Sequence, residues 1–238
     1  MAGEISNLIY GAIGGGLVTA GLRIAETYFI APRLTESAES RKKLILYGKP
    51  LWRACHDLYY RLFYIKQKMH SPRSNLSGSL KDAESLEWFT TKEGNYITSA
   101  AYMIAAVAAW IALYERDTVF LQFGEKSLTT QFLLKVERFK NSISNSNILW
   151  FHYVSGIGEQ LIQDGASRPM SFSNFCYKLL KDEDFKAYYS QLFQFLNQVN
   201  KGEFEKSIED TLDALNEIKK FLVSKGIVLE MPREFDPS

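Results

Sequence analysis

Apolar residues recur at three- and four-residue steps along most of this chain, and nowhere alternate cleanly at a spacing of two. That is the period of helices rather than half-buried strands. The chain is therefore expected to be all-α, a helical bundle preceded by a single amino-terminal transmembrane or membrane-associated helix. Gly48-Lys49-Pro50 reads as a break with a helix start behind it, Pro50 taking the first turn. Leu51, Ala54, Leu58, Leu62, Ile65 and Met69 then form one stripe. Trp52, Tyr59, Tyr60, Phe63 and Tyr64 widen it, which predicts neighbours on two sides. His70–Ser79, rich in Ser, Pro and Asn, is the clearest loop and the best candidate for protease cleavage.

Further helices are predicted over Leu80–Phe89 (a short one), Ser127–Asn141, Ile148–Gln163, Ser171–Leu180, Glu183–Asn200 and Glu203–Ser224. The last carries Phe204, Ile208, Leu212, Leu215, Ile218 and Leu222 on one stripe. Its acids Glu203, Glu205 and Glu209 come early and Lys219 and Lys220 late, as the helix dipole favours.

Two charge-free runs are membrane candidates. Ile5–Leu22 is 18 residues long, near the lower limit for crossing a bilayer. A helix from Ile5 to Ala31 measures roughly 40 Å, enough to span with tilt. Gly11 and Gly15, with Ala12, Gly16 and Ala20, give small-xxx-small spacings that let membrane helices approach closely. In an exposed helix each such glycine costs about 1 kcal/mol against alanine. A single-pass anchor is favoured over a packed soluble helix. A cleaved signal peptide is disfavoured because the run lacks a positively charged start. Arg23, Arg33, Arg41, Lys42 and Lys43 follow the run, so the positive-inside rule places the bulk of the chain on the cytoplasmic side.

Gly94–Tyr114 is the second run, 21 residues of which seven are alanine. Alanine adds little to membrane insertion, so a buried central helix is preferred and a second span is the alternative. Three segments result: an anchor over residues 1–34, a cytoplasmic bundle over 35–226, and a loose tail over 227–238.

The length of 238 residues leaves enough chain beyond the anchor for one sizeable core. A net charge of +1 offers no general attraction for nucleic acid, which is not expected as a partner. Cys55 and Cys176 sit in apolar helical stretches and read as buried thiols of a reducing compartment.

Candidate chemistry is sparse. His56, His70 and His152 have no metal-ligand spacing, and no phosphate-binding glycine loop follows a strand, so neither a metal nor a cofactor is expected. Cys55-His56-Asp57 resembles a triad only on paper, since helix neighbours point about 100° apart. No catalytic residue is assigned. Arg53, Asp57 and Arg61 share a helical stripe and are expected to form a charge ladder or a contact surface. His152, Ser155 and Glu159 share another face and, with His56, make the one candidate polar site. Glu159 is the candidate buried carboxylate, with Arg116 or Arg138 as its partner. Gly156 and Gly158 are expected to permit tight helix packing.

These features favour a non-enzymatic scaffold, adaptor or regulatory module at the inner (cytoplasmic) membrane. Its expected partners are membrane lipids through the first helix and a protein or further copies of itself, through Gly11 and Gly15. An enzyme or ligand sensor with a buried polar site, and a two-span membrane protein, are the alternatives.

Overall fold

The computed structural model describes residues 31–69, 78–118, 126–144 and 147–228. The chain divides into two compact units, Met1–Lys43 and Leu44–Ser238. Among the described residues there are seven α-helices: α1 (Ala31–Lys68), α2 (Lys92–Thr118), α3 (Lys126–Ser144), α4 (Phe151–Glu159), α5 (Phe172–Lys181), α6 (Glu183–Asn200) and α7 (Glu205–Ser224). No strand occurs among them. Ile162 and Pro169 form a lone antiparallel bridge, closed by Gly165 in the left-handed region at φ +71°.

α2 is the hub of the second unit. It packs against α4, α5 and α6. Ile97, Ala101, Ile104, Ala105, Ala108 and Ile111 are all buried. Among the described residues Lys92–Arg116 is the one helix long and apolar enough to cross a membrane, with a mean hydropathy of 1.7 and 67% of its apolar window buried inside the protein. Its alanines let a neighbour come close: a Cβ added at Gly158 of α4 would lie 2.4 Å from the Ala108 carbonyl carbon.

α3 and α7 pack along their length. Phe132 lies against Phe221 with ring centres 5.5 Å apart, and Val136, Phe139, Leu215 and Ile218 of the same two helices are buried in the core. Polar atoms between these two helices are paired, as burial requires. Ser142 Oγ and Thr211 Oγ1 stand 2.9 Å apart, Thr211 donates to the Ser207 carbonyl at 2.7 Å, and Ser207 donates to the Ser142 carbonyl. Lys140, also buried, reaches both carboxylate oxygens of Glu115 at 3.2 Å.

Pro50 does not start a helix. α1 runs through it without a break from Ala31 to Lys68. A proline inside a helix removes one backbone bond and costs ~3 kcal/mol or more. Tertiary packing on both sides of it offsets this: Tyr47, Leu51 and Trp52 are buried, and Gly48 lies so close to Ile227 that an added Cβ would meet its Cγ2 at 2.4 Å. Ile227, the first residue of the expected loose segment, is only 3% exposed, and residues 229–238 lie outside the described residues.

Three smaller differences have local causes. The short helix expected over Leu80–Phe89 is two 3₁₀ turns, Leu80–Asp82 and Trp88–Thr90. α4 ends at Glu159 because the chain then turns through Asp164 and Gly165, a dipeptide suited to tight turns. α7 begins at Glu205, not Glu203, because Phe204 sits at φ +62° with its ring stacked on Phe195.

Candidate functional site

Every fourth residue along one side of α1 is a ring. Trp52 and His56 stack at 4.9 Å, and His56 meets Tyr60 edge-on at 4.7 Å. This spacing follows from the helical repeat, which sets residues i and i+4 one above the other. Beside the rings lies an open groove of about 360 Å³, lined by His56, Asp57, Tyr60, Arg61, Tyr64 and, from α2, Met103.

Arg61 is held in the groove by α2. Its guanidinium carbon sits 4.5 Å from the centre of the Tyr96 ring, and Tyr64 meets the same ring edge-on at 6.2 Å. A guanidinium favours such a ring face, which is electron-rich. The expected charge ladder is therefore absent. No ion pair links Arg53, Asp57 and Arg61 among the described residues, because Arg61 turns to Tyr96 instead of back to Asp57. Arg53 and Asp57 point into solvent.

The other flank of α1 faces α7. Lys219 Nζ lies 4.5 Å over the Tyr59 ring, and Lys66 pairs with Glu209 at 2.7 Å. Burial lowers the Lys219 ammonium from its ordinary value. Burial also pushes the thiol of Cys55, wholly enclosed beneath this flank, far up. Both cysteines are free and buried. His56 is drawn below its ordinary 6.5, first by burial and then by the positive charge of Lys219, with Asp57 opposing. Its Nδ1 and the Trp52 Nε1 are buried with no hydrogen-bond partner among the described residues.

The candidate polar site does not assemble. His152 is exposed on α4 with its ring edge-on to Phe151 at 5.6 Å, Ser155 is half-buried, and none of His152, Ser155 and Glu159 lines the groove that holds His56. Glu159 is exposed rather than buried. The cause is Gly158: it faces the α2 backbone, so the next residue, about 100° round the helix, faces out. Its expected partners are engaged elsewhere, Arg116 donating to the Ala166 carbonyl at 3.1 Å and Arg138 pairing with Glu217. Gly11 and Gly15 lie outside the described residues.

The groove thus merges parts of two predicted sets, His56 with Asp57 and Arg61. Tyr96 and Met103 were missed because Gly94–Tyr114 reads as uniformly apolar, which conceals which of its residues meet α1. Part of the aromatic surplus is core: among the described residues Phe132, Phe139, Phe175, Tyr189 and Phe195 are fully buried. Among the described residues only Tyr64, Trp150 and Tyr177 are exposed large aromatics.

No protein-family model matches the chain, and no curated protein or solved structure matches it either.

The groove offers ring faces, a positioned guanidinium and a carboxylate that makes no ion pair among the described residues. Tyr, Trp and Arg are the residues that dominate binding energy where proteins meet. No group of three or more metal-ligating side chains converges among the described residues.

Proposed function

We propose that the protein is a non-enzymatic adaptor or regulatory module, a helical bundle tethered to the inner face of a membrane, with the α1 groove as its contact surface. One observation carries this reading. α1 presents to solvent a strip in which Arg61 is pre-positioned on Tyr96 while Asp57 and Arg53 make no ion pair among the described residues. A surface of that kind leaves charge and ring area for a partner. The tether rests on the charge-free Ile5–Leu22 and the five Lys and Arg residues behind it. In this reading residues 1–34 anchor the chain, 35–226 form the bundle, and the remainder is a tail that begins after the contact made by Ile227. Lipids are the first partner and a protein is the second.

The two-span reading has one observation in its favour, the length and apolarity of α2. Against it stands the cover that α4, α5 and α6 give that helix. A ligand sensor using the groove is the further alternative.

Carbonate extraction of the full chain beside a chain starting at Thr35 tests the tether. The expected result is a full chain that stays in the membrane pellet and a shortened chain that is soluble and helical. Extraction of both refutes the anchor. Retention of both places α2 in the membrane and refutes the architecture.

A further inference from the structure

The outward face of α1 carries charges and rings where its buried face is apolar. Leu51, Cys55, Leu58, Leu62 and Ile65 are committed to the core. Arg53, Asp57, Tyr60 and Tyr64 remain on the outer side at four-, three- and four-residue steps, which sets them on one helix face. Arg53 and Asp57 are exposed, Tyr60 is half-exposed, and Tyr64 is 45% exposed. A stable two-fold interface uses one patch twice, so that patch must complement itself.

We infer that the partner at this surface is a second copy of the chain, two α1 helices meeting antiparallel with Asp57 of each opposite Arg61 of the other. Asp57 and Arg61 are opposite in charge and about 6 Å apart along the axis. A two-fold axis midway between them makes two Asp–Arg pairs. The same axis brings Arg53 level with the other copy's Tyr64 twice, each a cation over a ring, and sets the two Tyr60 side chains side by side at the centre. The groove beside Met103 leaves room for these rings. A parallel pairing in register would set Arg61 against Arg61 and Asp57 against Asp57, so the charge order selects the antiparallel arrangement. Tyr96 contributes by fixing Arg61 before the second copy arrives, which lowers the ordering cost of association. The inference rests on reading α1 as the contact surface and is independent of the tether.

The test uses the full chain in mild detergent, its mass measured by light scattering over a dilution series at low salt. The expected result is a dimer that Asp57→Arg and Arg61→Asp each weaken at least tenfold, and that the double variant Asp57→Arg/Arg61→Asp restores. These positions lie outside the core, and far-UV circular dichroism confirms that each variant is folded. Disulfide trapping gives the geometry. Tyr60→Cys should crosslink to itself under mild oxidation. Arg53→Cys should not, because the two copies of residue 53 stand about 18 Å apart along the pair. A monomeric full chain overturns the inference, as does a dimer indifferent to the single charge reversals, a double variant no better than the singles, or crosslinking at residue 53 in place of 60. None of these outcomes bears on membrane extraction, so failure of the pairing and failure of the tether are read separately.

Discussion

Gly156 and Gly158 stand two residues apart on one short helix, and the same change at each should have opposite consequences. An alanine Cβ at Gly158 would lie 2.4, 2.6 and 2.7 Å from backbone atoms of Ala108 and Ala109. Ordinary contact begins at 3.4 Å, so α4 must move about 1 Å off α2. Backbone on the hub helix cannot turn aside as a side chain can. Overpacking of this kind costs about 1–3 kcal/mol, and a backbone clash belongs at the upper end. Alanine's better helix propensity returns about 1 kcal/mol. The net expectation for Gly158→Ala is a loss of about 2 kcal/mol, a substantial part of the ~5–15 kcal/mol that holds a typical domain folded. At Gly156 the close neighbour is the Tyr188 hydroxyl, at 2.0 Å, the far end of a half-buried side chain that can swing away. Gly156→Ala should therefore lie between neutral and about 1 kcal/mol more stable. Urea denaturation of the full chain, followed by far-UV circular dichroism and tryptophan fluorescence, measures both. A difference between the two variants of less than about 0.5 kcal/mol would refute the claim that α4 sits on the α2 backbone at this point.

Two further expectations concern buried polar groups. Thr211→Val removes the hydroxyl between Ser142 and the Ser207 carbonyl and should cost about 1–2 kcal/mol; combined with Ser142→Ala it should show a coupling of at least about 0.5 kcal/mol, and strictly additive costs would mean the two hydroxyls do not act together. His56 binds its proton less readily folded than unfolded, so the unfolded chain takes up more protons as pH falls through 6.5, and stability contributed by neutral His56 is lost in that direction. His56→Phe should therefore lose less stability than the native chain between pH 7.5 and 5.5, and equal losses would remove His56 from the account.

The helices were legible because their periodicity is strong: Glu183–Asn200 has the same bounds in the sequence reading and in the structure. What failed depended on contacts remote in the chain. Nothing near Pro50 announces that Ile227 will pack on Gly48 and hold a helix through the proline. Arg53, Asp57 and Arg61 are correctly placed on one stripe, yet their pairing turned on Tyr96, which another helix brings alongside. His152, Ser155 and Glu159 do share a face, but periodicity cannot say whether that face looks inward, and Gly158 is the residue that decides it. The groove was half visible: its α1 side follows from helical spacing, whereas Met103 is one apolar residue among many until α1 lies beside it.

The contact between Gly48 and Ile227 also has a mechanical consequence. It holds the first turns of the second unit against its last described residues, so the two ends of the described part of that unit lie at one place. A pull applied between Leu44 and Val228 would load this contact directly. The force would peel α7 from α1, parting Lys219 from Tyr59 before Lys66 from Glu209, rather than shearing all the helices at once. Tension applied in that direction meets the fold at its weakest geometry, one contact at a time.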